Sequence, residues 1–447
     1  TFCLLITFII ADEMSYDKHY EGTDKIYRLL YDWNEPGDTY SHPSFQAPAA
    51  GVVKNEVPGV ELVGRLIPRK WFRAGGNLFR SADVSQNIYE SGFVYADQEF
   101  LDIITPKFIS GDEKSALSMP NSLVITKKKA DKYFPDGDAV GKIVLLNNDA
   151  ERSLKITGVI EDLPDNTHFN FDFVMTLKGI EFWNGEQTSW CCNNYHTYVK
   201  LSEEADSQAV INNLEIIKRD YVIPYQKSRS SADEMVNIDK YFGVRMQPIS
   251  DIHLKSDGII DRTYIHGDLK IVWMFAAVAI LIMLLACINF INLSTAKSAN
   301  RAKEVGLRKV VGSARGNLIG QFLTESIMFS LISFFLGLIL TVLLIPYFYE
   351  LSQKSLIIPI GQWWFIPLLL IIAMLVGVVA GIYPSFYLSS FRPIEVIKGK
   401  LSLGMKNRGL QSSLVIFQFT VSVVLIVGAL VVNRQMGFVL NKKLGFE

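Results

Sequence analysis

Charge is missing where the chain is most apolar. Four long hydrophobic stretches fill its C-terminal part, and none has an Asp, Lys or Arg near its centre. Their internal polar groups include the uncharged Asn289, Asn292 and Gln418, with Glu325 early in its block. Proton- or ion-coupled carriers use an ionisable group at membrane depth. The lack argues against secondary transport and against a charged ion pathway. Net charge is also close to zero, at -1, so no broad basic field points to nucleic acid. Cysteine is scarce, with four residues, of which Cys3 and Cys287 lie in apolar segments. A disulfide between the neighbours Cys191 and Cys192 would be strained, so free thiols are expected there. The His residues are scattered, without H-E-x-x-H or paired metal spacing. GDAVGK, residues 137–142, is one residue short of the Walker spacing and is followed by Ile143 instead of Ser or Thr. It reads as a turn before a strand.

What is present divides the chain in two. Residues 12–268 have mixed polarity, whereas 269–433 are apolar blocks broken by short basic stretches. The blocks 271–293, 318–345, 363–383 and 414–432 each suit a membrane-crossing helix, which needs about 20 residues. The opening TFCLLITFIIA is too short to cross. It reads as the tail of a membrane helix whose start is missing.

Lys and Arg in the connecting loops set the orientation. Residues 294–317 hold Lys297, Arg301, Lys303, Arg308, Lys309 and Arg315, and residues 384–413 hold Arg392, Lys398, Lys400, Lys406 and Arg408. The 346–362 loop holds only Lys354. The two basic loops are therefore expected in the cytoplasm, with 346–362 and the 12–268 domain outside.

The stretch NRAKEVGLRKVVGSARG, 300–316, is the most pointed local signal. Ala299, Ala302, Val305 and Val310 fall near one helical stripe, with Arg301, Lys303 and Arg308 around it. Gly306 is expected to interrupt this helix and Gly312 to end it. Charge alone leaves two readings: a basic loop that only sets topology, or a docking element for a cytoplasmic partner.

The motif pattern favours the second. Arg301, Glu304, Val305, Gly306, Leu307, Arg308, Lys309, Gly312 and Ser313, followed by Gln321, Phe322, Leu323 and Glu325, resemble the cytoplasmic signature of the MacB/FtsX permease family. A second match runs through Gly381, Pro384, Ser385, Ser389, Pro393, Ile397, Lys398 and Gly399. YDKHYEGTDKIYRLLYDW and later segments of 12–268 resemble the MacB-like periplasmic core domain.

The resemblance implies an ABC transporter permease in the bacterial inner membrane, with an α-helical transmembrane bundle and a large α+β extracytoplasmic domain. The organisation expected is 1–11 end of a truncated first span, 12–268 outer domain, 269–294 span, 295–317 coupling loop and 318–345 span. After these come 346–362 outer loop, 363–391 span, 392–413 cytoplasmic linker, 414–433 span and 434–447 start of a second outer domain. Residues Arg301, Glu304–Lys309 and Gly312 would engage a separate cytoplasmic ATPase. Gly381, Pro384, Ser385, Ser389, Pro393, Lys398 and Gly399 would shape the chain's exit into the cytoplasm. The chain itself would carry no cofactor and no catalytic site, with ATP and Mg on the partner. A periplasmic adaptor or outer-membrane component is a further expected partner, and two four-span units would combine by fusion or dimerisation. The task would be export of drugs or peptides; lipoprotein extraction, hydrolase activation and a receptor role are the alternatives.

In the outer domain, SLVIT and LKITGVI read as strands and KKKADKYF as a helix. His168 is expected to be structural. Trp183, Trp190, Tyr195 and Tyr198 suit core packing better than a ligand wall. A second subdomain is expected within about 170–240.

Overall fold

The computed structural model describes residues 1–68, 72, 74–82, 86–149, 153–229, 240–261, 263–296, 298–352, 362–390 and 408–442. It divides into two compact units, Thr1–Ala11 with Val272–Glu447, and Asp12–Ile271.

The second unit is α+β. Its strands are β1 (Ile26–Glu35), β2 (Asp38–His42), β3 (Ser44–Phe45), β4 (Val60–Ile67), β5 (Gly75–Ser81), β6 (Ile88–Ala96) and β7 (Phe108–Gly111). They continue as β8 (Ser122–Thr126), β9 (Ile143–Leu146), β10 (Ser153–Ile160), β11 (Phe173–Thr176), β12 (Tyr195–Leu201) and β13 (Phe242–Pro248). Strand β6 bonds β5 on one edge and β11 on the other. Pairings β5–β9, β9–β10, β10–β8 and β8–β11 complete a closed circuit. Closure removes open edges. The circuit is filled with aromatic and β-branched side chains, including Phe79, Phe93, Ile125, Val144, Ile156 and Phe173. SLVIT is buried at every position, as a strand covered on both faces requires.

Strands β4, β12, β1 and β13 extend the sheet as an antiparallel lobe. Residues 49–56 and 217–227 pack on it around Leu29, Val53, Val199 and Ile217. This lobe corrects the contiguous subdomain expected at 170–240: it is assembled from residues 26–67, 195–229 and 240–248. The reason is the long-range pairing of β1 with β13, which no local pattern encodes.

Several polar groups are buried in this unit with partners. Arg28 is wholly buried, with Nη1 donating to Asp261 at 2.5 Å and Nη2 to Gln247 at 2.9 Å. Asp17 Oδ1 accepts from the Thr167 hydroxyl at 2.6 Å, and its Oδ2 lies 2.8 Å from Nδ1 of His168. His168 Nε2 meets the Tyr198 hydroxyl at 3.0 Å. His168 is thus structural, and Trp190, Tyr195 and Tyr198 are core residues.

Cys191 and Cys192 form a vicinal disulfide. This corrects the expectation of free thiols: the bend before β12 brings the two sulfurs together despite the usual cost of bridging neighbours.

The first unit is helical: α1 (Phe2–Ser15), α2 (Leu269–Ala296), α3 (Ser298–Val310), α4 (Arg315–Ser352), α5 (Phe365–Ser389) and α6 (Arg408–Asn441). Among the described residues, α2, α4, α5 and α6 are long and apolar enough to cross a membrane. The helices outrun their apolar blocks. Helix α4 continues into the segment read as an outer loop, and α6 into the segment read as the start of another domain. Once nucleated, a helix propagates until something stops it, and no Pro stands between Asn433 and Asn441.

Helices α4 and α5 pack most closely. A Cβ on Gly381 would lie 2.6 Å from that of Ser326, and one on Gly377 would lie 2.8 Å from the Ile327 Cα. Small residues at such crossings let backbones approach, and apolar helices in lipid depend on that packing. Ser330 also donates to the Ala373 carbonyl at 2.7 Å. Phe8 of α1 packs on Phe365 and Leu369.

Candidate functional site

Helix α3 starts from residues with an apolar stripe and a basic remainder. Its C-terminus is a Schellman arrangement: Ser313 N–H donates to the Arg308 carbonyl at 3.0 Å, and Gly312 N–H to that of Lys309 at 3.1 Å. Gly312 has φ of 99°, which its missing Cβ permits. Gly306 does not interrupt the helix, as had been expected; α3 runs unbroken through it. A mid-helix Gly costs about 1 kcal/mol relative to Ala, and burial of this face outweighs that cost.

Val305 is the anchor. It is 2% exposed and clusters with Leu318 and Phe322 of α4 and Leu388 of α5. Polar contacts surround the cluster. Arg301 makes a bidentate bond to Glu325, with Nη1 at 2.7 Å and Nη2 at 2.6 Å from the two carboxylate oxygens. Arg308 donates to Glu304 at 2.6 Å and to Gln321 at 2.6 Å. Lys309 Nζ donates to the Ser389 carbonyl at 2.6 Å, and Arg315 Nε reaches the Ser389 hydroxyl at 3.4 Å. Burial lowers the Lys309 pKa, and the nearby Arg315 charge lowers it further.

The two sequence motifs therefore meet: Val305 and Lys309 touch Leu388 and Ser389. Within the second motif, the buried Ser385 hydroxyl donates to the Gly381 carbonyl at 2.6 Å. This bond lies beside Pro384, whose ring removes one backbone donor from α5. Pro393, Lys398 and Gly399 lie outside the described residues, as do the side chains of Ala299, Ala302 and Lys303. Leu388, Leu318 and Arg315 are contacts that sequence reasoning missed; only the apolar spacing of the flanking helices hinted at the first two.

On the other side, Leu307, Val310 and Val311 are 66%, 62% and 83% exposed. They form an apolar edge beside Arg308. Among the described residues no group of three or more His, Cys, Asp or Glu is placed to hold a metal. Gly137 and Gly141 both have positive φ in turns before β9, without a phosphate loop.

Residues 276–393 match the family model for the FtsX-like permease C-terminal domain. Over 267 residues the chain is 25% identical to the macrolide export ATP-binding/permease protein MacB of Neisseria meningitidis, covering 59% of this chain and 36% of that protein. Over the matched residues the chain resembles permeases of the FtsX/MacB type. MacB of Campylobacter jejuni is 30% identical to this chain over 122 residues, covering 27% of the chain and 19% of the relative. The chain thus spans little more than a third of the length of the first of these relatives. The periplasmic region of MacB from Actinobacillus actinomycetemcomitans overlays at a TM-score of 0.32 with 14% identity, covering 50% of this chain and 89% of that one. That overlay is too loose to carry an argument. The family match and the four apolar helices fit a multi-pass membrane protein.

Proposed function

We propose that this permease transmits ATP-driven motion from a separate cytoplasmic ATPase to the 12–271 unit outside the membrane. The observation that carries the reading is the seat of α3. Val305, Arg301 and Lys309 fasten it to both α4 and α5, so a push on α3 is delivered to two helices together. Its exposed edge of Leu307, Val310 and Val311, bordered by Arg308, is the face offered to the ATPase. The low charge of the apolar blocks supports rigid transmission instead of ion coupling. In this reading ATP and Mg are held by the partner, and this chain performs no chemistry.

The relatives named for macrolide export support export of a drug- or peptide-like substrate from the periplasm. Lipoprotein extraction or hydrolase activation would use the same machine with a different outer partner.

The test is co-purification of the full chain in nanodiscs with Leu307→Asp and Glu304→Lys variants. The expected result is an ABC ATPase retained by the parent and lost from both variants, with membrane insertion intact. Equal retention by all three would overturn the assignment of α3.

A further inference from the structure

A cavity of about 260 Å³ opens on the basic side of the bundle, where α2, α3, α4 and α5 converge. Phe290, Leu293, Phe322 and Phe329 give it apolar walls, and the Arg301–Glu325 pair lines it. The pair stays reachable, with side chains 38% and 33% exposed. Leu293 and Phe329 are 57% and 52% exposed on the bundle surface, where apolar helices meet lipid.

These features restrict the ligand. The cavity is smaller than the roughly 300–1,000 Å³ of sites for drug-sized molecules, so it suits a headgroup. A guanidinium and a carboxylate stand side by side, so a ligand with both signs finds a partner for each. Arg favours phosphate through its planar fork. An ionised carboxylate accepts hydrogen bonds and binds most strongly to a charged donor, so an ammonium with N–H groups is its best counterpart. Apolar walls suit the glycerol end of a lipid. Basic pockets between membrane helices on the cytoplasmic side hold lipid headgroups; the adjacent Glu325 adds a requirement for a cation.

We infer that this cavity binds the headgroup of a phosphatidylethanolamine, with phosphate on Arg301 and ammonium on Glu325. Phosphatidylcholine has no N–H to offer Glu325, and phosphatidylglycerol has no cation. The inference rests on the membrane position of the bundle and not on ATPase coupling.

The test uses the full chain in nanodiscs with equal phosphatidylethanolamine, phosphatidylcholine and phosphatidylglycerol, with retained lipid read by native mass spectrometry. The parent is expected to retain phosphatidylethanolamine over the other two by about tenfold, equal to about 1.4 kcal/mol. Glu325→Gln leaves Arg301 without its anion and should move the preference to phosphatidylglycerol. Leu293→Trp fills the cavity from the surface without touching the ion pair and should abolish retention. Equal retention of the three lipids by the parent would overturn the proposal. So would an unchanged preference in Leu293→Trp, a variant that remains informative if Glu325→Gln does not fold.

Discussion

Lys309 donates a hydrogen bond to the backbone carbonyl of Ser389 across 80 residues of sequence, at 2.6 Å. The acceptor is a main-chain atom in the last turn of α5, where carbonyls lack intrahelical partners. A cation there also suits the negative end of the helix dipole.

Replacing Lys309 with Met keeps the stem and removes the donor. A hydrogen bond from a charged group contributes about 1.5–3 kcal/mol, and the partial exposure of this site favours the low end. Lys309→Met should insert normally but lose most of the ATPase stimulation by the outer unit's substrate or partner. Unchanged stimulation in proteoliposomes would count against Lys309 as a transmitting contact.

Gly381 sits where α4 leaves no room for a side chain. Gly381→Leu should separate the two helices, and overpacking of this kind costs about 1–3 kcal/mol. Size-exclusion profiles and thermal unfolding in detergent would report the loss. Ala at the exposed Gly428, where nothing lies within 4 Å, should leave both measurements unchanged.

Arg28 and Asp261 have fully buried side chains. Removing one partner of a buried pair costs about 3–5 kcal/mol, because the other charge is left uncompensated. Arg28→Met should therefore expose the outer unit to protease at lower temperature. The double variant Arg28→Met with Asp261→Leu should recover much of the loss. A double variant no better than the single one would place the effect in packing.

Acid should weaken the outer unit through Asp17 and His168. Burial pushes the Asp17 carboxyl up, but the His168 charge and hydrogen bonds from His168 and Thr167 outweigh this and hold it below its usual value. Burial lowers the His168 pKa, only partly opposed by Asp17. Both folded values are depressed, so both groups favour folding at higher pH. The His168 contribution is complete above its unfolded pKa of about 6.5 and fades as pH falls from there. The Asp17 contribution fades only below about 4. His168→Gln should flatten the upper part of this dependence, measured as melting temperature against pH. A slope preserved between pH 5 and 6.5 would assign it to other groups.

Composition and pattern determined much of this protein. Apolar length specified the four crossing helices, because a bilayer core demands about 20 residues whatever the neighbours are. Basic residues marked α3, and Gly312 marked its end, because only local backbone geometry is needed to stop a helix there. Runs rich in β-branched residues located SLVIT and LKITGVI. Tertiary structure decided the remainder. Gly306 is helical because its face is buried, which outweighs its propensity. Arg301 found Glu325, and Lys309 found Ser389, through helix crossings that no sequence spacing specifies. Closure of the six-strand circuit and the pairing of β1 with β13 join segments far apart along the chain. Such contacts are selected by the shape of the packed core, and a one-dimensional pattern carries the preference for burial without naming the partner.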